Sequence, residues 1–177
     1  STKMSRRLSI HPDFTSSPLE GLSNTAAVVT VDALNRDGWK AFSKDIYSTF
    51  GNCWEKCIMF EASGTSIFSN CDVHSGELTE LVKNIHDRSS VVQKGITLQG
   101  NHFDVHQHHP PMWWGRVAMK KETKVPSTGI ALCKISVPTA DVMDLFVLIT
   151  YTLPSVSAFA VNRLQAFKTL LEGAVER

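Results

Sequence analysis

A run of histidines is the part of this sequence whose side chains are best suited to chemistry. His102, His106, His108 and His109 fall within eight residues. Imidazole is a common zinc ligand, and an extended strand would place His102, His106 and His108 on one face, a geometry that could hold zinc. No Cys or carboxylate completes a recognised zinc motif, so we expect no metal and interpret the run as exposed histidines that keep a hairpin polar, with a zinc site as the alternative.

Catalytic motifs are absent from the sequence. It contains no Gly-rich phosphate loop, nucleophile elbow, His-Glu-x-x-His pattern or paired carboxylates. Asp104 beside the histidines suggests acid–base chemistry, but no nucleophile accompanies it. We therefore expect a protein that is not an enzyme and that needs no cofactor.

The four cysteines are expected to be free thiols. Cys53 and Cys57 lack the Cys-x-x-Cys spacing of redox sites, and Cys57 and Cys133 lie in apolar, strand-like segments. The first residues contain no apolar core of a secretory signal, so we expect a reducing, cytoplasmic environment.

The composition is that of a soluble single domain. The chain has 177 residues, of which 42% are hydrophobic and 20% charged. A net charge of +1 gives no reason to expect nucleic acid as a partner. The longest apolar run, 145–149, has the length of a buried strand and not of a bilayer span. We expect a monomer.

The first 36 residues differ in composition from the rest. Ser, Thr, Pro and Asn are frequent and aromatics almost absent, which favours a largely flexible extension over 1–36, mostly disordered in 1–24. The more apolar segment 25–34 is expected to pack on the body as a strand or helix, or to become ordered with a partner. Because the extension enters at Trp39, a further hypothesis is that it folds over an aromatic surface there.

The spacing of apolar residues predicts three helices in the remaining domain, 37–177. Trp39, Phe42, Ile46 and Phe50 lie three or four residues apart, which predicts an amphipathic helix with an N-cap at Asp37. A middle helix is expected to begin at Ser75 with a capping hydroxyl, and a final helix runs from about 155 to near 173.

Strands account for most of the other segments. The predicted strands are 56–61, 65–70, 95–99, 102–107, 113–121, 128–136 and 143–151. The first two form a hairpin, and the later connections are too short for helical crossovers, so an antiparallel meander follows. The fold class is therefore α/β of the α+β type, with a central antiparallel β-sheet and the N- and C-terminal helices packed on one face. Trp113 and Trp114 follow two prolines and are expected in a loop that contacts another molecule or, alternatively, covers the body beneath the N-terminal segment.

Several segments occur in an order that resembles the profilin family between Gly38 and Gly173. Gly38-Trp-Lys-Ala-Phe resembles the opening of the first profilin helix, and Ser66-Ile-Phe a short run that ends in Trp in profilins. The other matching segments are Ser75-Gly-Glu-Leu, Gly95-Ile-Thr-Leu-Gln-Gly, Ser127-Thr-Gly-Ile-Ala-Leu, Asp144-Leu-Phe-Val-Leu-Ile-Thr-Tyr and Val161-Asn-Arg-Leu-Gln-Ala-Phe.

This resemblance implies a polyproline groove between the terminal helices, with Trp39, Phe42, Phe68 and Phe167 at the matching positions. Flat aromatic walls suit an extended proline-rich ligand, which loses little entropy on docking. Three of these positions are Phe, so only the Trp39 indole remains as an aromatic donor, and each lost hydrogen bond would weaken binding by about 1 kcal/mol. Core packing is the alternative role for Phe42 and Phe167, and Tyr47 is expected to lie too far away to compensate.

The resemblance also implies a surface for actin on the middle strands and the start of the last helix. The matching positions are His102, Asp104, Val105, Gln107, Lys120, Lys121, Ser155, Ser157 and Ala158. Asp104 and Gln107 stand where profilins often carry neutral or basic residues, so we expect a reduced affinity or a differently charged actin, because actin's matching face is acidic. Phosphoinositide headgroups are a further implied partner, for which the candidates are Arg116, Lys120, Lys121 and Lys124.

The implied function is that of a cytoplasmic, cytoskeleton-associated protein that binds monomeric actin and regulates its polymerisation. A proline-rich protein, such as a formin-type elongation factor, would dock on the aromatic groove. Two alternatives stay open. One is a profilin-fold scaffold that binds proteins but not actin, which Asp104 and the Phe-rich groove favour. The other is a metal-binding sensor domain that uses the histidines.

Overall fold

The computed structural model describes residues 36–117, 127–136 and 144–175. Its helices are α1 (Arg36–Phe50), α2 (Ser75–Asn84), α3 (Arg88–Lys94) and α4 (Ser157–Val175). A short 3₁₀ turn, Gly51–Cys53, follows α1. The strands are β1 (Lys56–Glu61), β2 (Ser66–Ser69), β3 (Ile96–Leu98), β4 (Asn101–His109), β5 (Met112–Val117), β6 (Gly129–Ile135) and β7 (Leu145–Tyr151). Among the helices described, none is long and apolar enough to cross a membrane.

The described strands form one antiparallel sheet in the order β2-β1-β7-β6-β5-β4-β3. The chain runs through β3 to β7 as a meander, and β7 then lies beside β1, so the first hairpin joins the meander. All seven residues of β7 are buried. A continuous apolar strand of this kind requires cover on both faces of the sheet.

Two separate cores provide that cover. On one face, α1 and α4 contribute Phe50, Leu164, Phe167 and Leu171 to a cluster against the sheet. On the other face, α2 and α3 contribute Leu78, Leu81, Ile85 and Val91. Because each strand alternates its side chains between faces, neighbouring residues of the central strands supply the two clusters in turn.

The predicted architecture is confirmed. The first hairpin, the antiparallel meander and the placement of the terminal helices on one face are all present. These three features could be predicted because apolar residues alternate in the strands and recur every three or four residues in the terminal helices.

Two predicted helix caps are wrong, and one helix was not predicted. Asp37 lies inside α1 and not at its N-cap. The predicted start of α2 at Ser75 is confirmed, but the capping role predicted for Ser75 is wrong, because His74 occupies the N-cap position and makes no side-chain hydrogen bond. Helix α3 was not predicted; it begins after Asp87, whose carboxylate accepts a hydrogen bond from the Ser90 backbone N–H at 2.9 Å. Asp87 therefore caps α3 with its side chain. The helix was missed because it is too short to show a clear apolar period.

A β-bulge in β4 decides which way its histidines point. Val105 pairs with Gly115, but the next pair along is Gln107 with Trp114, so His106 is an extra residue. Gly115 accommodates the close strand approach, because a Cβ there would stand 2.1 Å from the carbonyl oxygen of Asp104. A bulge of one residue reverses the alternation beyond it.

The paired tryptophans lie in a strand and not in an exposed loop. Trp113 and Trp114 belong to β5, and Pro110 and Pro111 form the turn before it. Trp113 is fully buried against α2 and α3, while Trp114 is half-buried on the opposite face. Their expected role as an exposed contact is therefore wrong for Trp113.

Candidate protein-binding surfaces

The part of the sheet formed by β4 and β5 is only partly covered by helices. On the α1/α4 side, the register places Asp104 opposite Arg116 and Gln107 opposite Trp114. Helix α4 packs mainly over β6 and β7, so these side chains remain half-exposed or exposed. We name this surface the open face. It comprises His102, Asp104, His106, Gln107, His109, Trp114, Arg116 and, at the start of α4, Ser157 and Ala158.

Side-chain contacts connect the strands of the open face to α4. The Arg116 guanidinium donates a hydrogen bond to the Ser157 hydroxyl at 2.9 Å, which joins β5 to the first residue of α4. Beneath this contact, burial raises the pKa of the Tyr151 hydroxyl, while Ser157 and Arg116 oppose that effect. The start of α4 is therefore held at a defined position beside the strands.

A polar cluster occupies the other end of the open face. His109 Nε2 lies 3.0 Å from the Gln107 side-chain oxygen, and its ring centre lies 6.0 Å from that of Trp114. At the end nearer α4, where Asp104 is opposite Arg116, His102 Nε2 lies 3.8 Å from a carboxylate oxygen of Asp104. The open face thus combines an aromatic ring, imidazoles and one pair of opposite charges.

Exposed apolar side chains flank the open face where β7 connects to α4. Leu153, Val156 and Phe159 are 57%, 50% and 47% exposed. The Arg163 guanidinium lies 5.3 Å from the centre of the Phe159 ring and 5.9 Å from that of Phe50. A cleft of about 280 Å³ lies beside them, between the 3₁₀ turn and the β7–α4 connection. Grouped apolar side chains of this kind commonly mark contact with another molecule.

A second aromatic group lies where α1 meets β2 and α4. The Tyr47 ring centre is 5.2 Å from that of Phe68, and both rings are half-buried. Below them, Trp54 packs edge-on against Phe167 at 5.6 Å, and Phe50 does so at 6.0 Å. We name this group the aromatic cluster: Tyr47, Phe50, Trp54, Phe68 and Phe167.

The histidines do not assemble into a metal site in the described part of the chain. The bulge turns His108 toward α2, where it is buried and its Nε2 lies 2.9 Å from the Ile85 carbonyl oxygen. His102, His106 and His109 stay on the open face. Within residues 36–117, 127–136 and 144–175, no three His, Cys, Asp or Glu side chains are grouped closely enough to hold a metal. The expectation that His102, His106 and His108 share one face is wrong.

Solved structures of profilins resemble this chain in fold. No protein-family model matches the chain, and no curated protein matches its sequence. The profilin of Schizosaccharomyces pombe has a TM-score of 0.60 at 15% identity, covering 76% of this chain and 97% of that one. Acanthamoeba castellanii profilin IA has a TM-score of 0.59 at 14% identity, with the same coverage of 76% and 97%.

A structure described as a LokiProfilin1/rabbit actin complex also matches, with a TM-score of 0.54 at 12% identity. It covers 77% of this chain and 96% of that one. The chain has the profilin fold.

The profilin fold brings together most of the residues predicted to bind actin that the structure describes. His102, Asp104 and Gln107 are exposed on β4, Ser157 and Ala158 begin α4, and Ser155 lies in the turn before it. Val105 is a correction: its side chain is 4% exposed and packs against α2 and α3, because residues of a strand alternate between faces. Lys120, Lys121 and Lys124 lie outside the described residues, which leaves Arg116 as the described member of the phosphoinositide set.

Within the profilin fold, the four predicted polyproline positions differ in exposure. Phe68 is half-buried at the surface of the aromatic cluster. Phe167 is 1% exposed and belongs to the core, so its ring supports the cluster from below and its predicted place as a groove wall is corrected. The side chains of Trp39 and Phe42 lie outside the described part of the structure.

Sequence reasoning missed the contribution of Tyr47. Ser43, Tyr47 and Phe50 are the buried or half-buried side chains described in α1, and they lie four and three residues apart. The Tyr47 hydroxyl accepts a hydrogen bond from the Asn70 side-chain amide at 3.0 Å, which leaves its own proton for another acceptor. The spacing of Tyr47 from Phe50 was a signal, but the more apolar Phe42 and Ile46 obscured it.

Proposed function

We propose that this protein binds monomeric actin through the open face and regulates actin polymerisation. The observation that carries the proposal is the uncovered β4–β5 surface, joined to the start of α4, in a chain with the profilin fold. Solved structures of LokiProfilin1 and LokiProfilin2, described as complexes with rabbit actin, share this fold at 12% and 11% identity. They support actin as the partner to test.

The exposed side chains suit a protein partner. Trp114 and Phe159 offer aromatic surface, while Arg116 and Gln107 offer hydrogen-bonding groups. Aromatic and Arg side chains supply a large share of the binding energy in protein interfaces. Because the Arg116–Ser157 hydrogen bond holds strand and helix together, the surface needs little rearrangement on binding.

The test is a pyrene-actin polymerisation assay with the full chain and two matched variants. Ala158→Glu places an acidic side chain on the exposed first turn of α4, where the helix dipole favours it and the fold is preserved. Ala62→Glu makes the same change in the exposed turn between β1 and β2.

The wild-type protein and Ala62→Glu should slow spontaneous polymerisation equally and in proportion to their concentration. Ala158→Glu should need at least about tenfold more protein for the same effect, because a like charge facing an acidic partner costs several kcal/mol. If wild-type protein leaves polymerisation of several actins unchanged, the proposal fails and the scaffold alternative takes its place.

The aromatic cluster supports a second role in binding proline-rich proteins, such as elongation factors of the formin type. Tyr47 and Phe68 form a half-buried aromatic surface with a hydroxyl proton available to a ligand carbonyl. Titration with a proline-rich peptide, followed by intrinsic tryptophan fluorescence, tests this role. Phe68→Ala should abolish the signal change, and the exposed Val92→Ala on α3 should leave it intact.

A further inference from the structure

We propose that protonation of His102, His106 and His109 strengthens binding at the open face, so that partner affinity rises as pH falls. The proposal rests on the proposed function and assigns a form of regulation to the same surface. Its basis is that β4 presents three exposed imidazoles on the side that faces the partner.

The bulge at His106 produces this arrangement. Before it, Phe103 and Val105 point into the α2/α3 core, so His102 and Asp104 point to the open face. After it, His108 is buried on the core side and His109 is exposed. A regular strand would have put His106 and His108 on one side and His109 on the other.

The other charged groups of the open face cancel at neutral pH. Asp104 is paired in register with Arg116, and the structure describes no other acidic or basic side chain between them. Strand β3 contributes Thr97, whose hydroxyl lies 3.4 Å from His102 Nδ1. The His102 ring lies over Gly95, directly after Lys94 at the end of α3.

The groups in direct contact with the other two imidazoles are uncharged, and Arg116 is the charged residue that β5 contributes to the described open face. His109 contacts Gln107 and the Trp114 ring. At the bulge, His106 faces the β5 positions Gly115 and Trp114. The first turn of α4 contains no acidic residue and contributes Ser157 to the surface.

Histidine side chains gain a proton as pH falls through the range from 8 to 5. Each proton taken up by these exposed imidazoles would therefore add positive charge to the described open face, where the charges of Asp104 and Arg116 otherwise balance. A positive charge on His102 would lie 3.8 Å from an Asp104 carboxylate oxygen and would offset the negative charge that repels an acidic partner. Both effects have the same sign: lower pH favours an acidic face on the partner.

The experiment measures the dissociation constant for monomeric actin, kept unpolymerised with latrunculin, at about pH 7.8 and about pH 6.4, which bracket the ordinary histidine range. Three proteins are compared. The first is the full-length wild type. The second is His102→Gln/His106→Gln/His109→Gln, which removes the exposed imidazoles of the open face. The third is the matched control His74→Gln/His86→Gln, which removes exposed imidazoles at the two ends of α2.

Wild type and control should bind about five- to tenfold more tightly at the lower pH, since each charge pair near an interface edge contributes a few tenths to one kcal/mol. The triple variant should change by less than about twofold, which also corrects for titration of actin itself. Added salt should weaken the wild-type gain at low pH, because screening acts on exposed charges.

The outcomes separate the two proposals. If wild type binds at both pH values with the same affinity, or if the triple variant keeps the full response, histidine control is overturned while the proposed function stands. If wild type binds at neither pH, the proposed function fails and histidine control fails with it. Thermal melting of all three proteins at both pH values checks that the substitutions, all at exposed positions, leave the fold intact.

Discussion

The open face and the aromatic cluster are built from different kinds of residue. In the aromatic cluster, Phe50, Trp54 and Phe167 are buried beneath Tyr47 and Phe68, so the same rings serve the core and the candidate ligand surface. In the open face, most candidate contacts are exposed strand residues with few packing neighbours. A ligand surface made of core residues should lose stability when it is altered, while one made of exposed strand residues should lose affinity alone.

The largest expected effect comes from Phe167→Ala, which removes a buried ring under the aromatic cluster. The free energy of unfolding should fall by about 3–5 kcal/mol, since truncation leaves a cavity between α4, Trp54 and Phe50. Urea denaturation followed by circular dichroism measures it. Phe159→Ala, on the same helix but 47% exposed, should change stability by less than about 1 kcal/mol. Equal losses in the two variants would contradict the division between the regions.

Gly115→Ala should damage the open face through its backbone. A Cβ would stand 2.1 Å from the Asp104 carbonyl oxygen and 2.9 Å from Val105 Cα, so β4 or β5 must shift. We expect a loss of about 2 kcal/mol in unfolding free energy, as for other overpacking changes. The control is Gly76→Ala in α2, where a Cβ meets no atom within 4 Å. A stable Gly115→Ala protein with unchanged β4 amide protection would show that the bulge does not need the glycine.

Tyr47→Phe removes one hydroxyl from the aromatic cluster and leaves the ring. Loss of the hydrogen bond from Asn70 should lower the unfolding free energy by about 1 kcal/mol. Affinity for a proline-rich peptide should fall by about fivefold, since a donor to the ligand disappears as well. Asn70→Ala is the control for peptide affinity alone, because it keeps the Tyr47 donor while removing the Asn70 bond to Tyr47 together with those to the Cys57 N–H and the Glu55 carbonyl. Equal peptide affinity in wild type and Tyr47→Phe would remove Tyr47 from the proposed ligand surface.

Asp104→Asn should change binding and leave the fold intact. Neutralising the exposed carboxylate removes repulsion of an acidic partner, so actin affinity should rise about two- to threefold, while stability stays within about 0.5 kcal/mol. Sedimentation and thermal melting provide the two measurements. A weaker complex would show that the facing part of the partner is basic, which contradicts the proposed charge pattern.

The smallest expected effect concerns the thiols of the α1/α4 core. Burial raises the pKa of Cys133 to about 12 and raises that of Cys57 as well, so both stay protonated and unreactive near neutral pH. Burial also raises the pKa of Cys53, an effect that Arg163 opposes. A disulfide-exchange reagent at about pH 8 should therefore modify Cys71 first, Cys53 more slowly and the other two only after unfolding. Rapid modification of all four thiols in the folded protein would contradict burial of Cys57 and Cys133 in the core. In the control variant Cys71→Ser, the fastest phase of modification should disappear.

Much of the fold follows from patterns that are local in sequence. The apolar run Leu145–Tyr151 is readable as a buried central strand because both of its faces need cover. The terminal helices show apolar residues three and four apart. Helix α3 escaped prediction because seven residues give too few turns to display that period.

The candidate surfaces were less predictable, since a residue's exposure depends on elements distant in sequence. Phe167 and Phe68 are both apolar aromatics, yet one is core and the other lies at the surface, because Trp54 and Phe50 cover only the first. Tyr47 was predicted to lie too far along its helix to contribute to the groove, although its ring contacts that of Phe68 in the folded protein.

By itself, the sequence determined the order of the strands and of the three longer helices, the antiparallel meander and the resemblance to profilin, since these depend on hydrophobic periodicity and short connections. Only the tertiary structure decided which face each histidine occupies and which aromatic rings remain accessible. The bulge at His106 depends on a close approach between two strands at Gly115, and burial depends on what packs above each ring. Neither is encoded in the spacing of residues along one element.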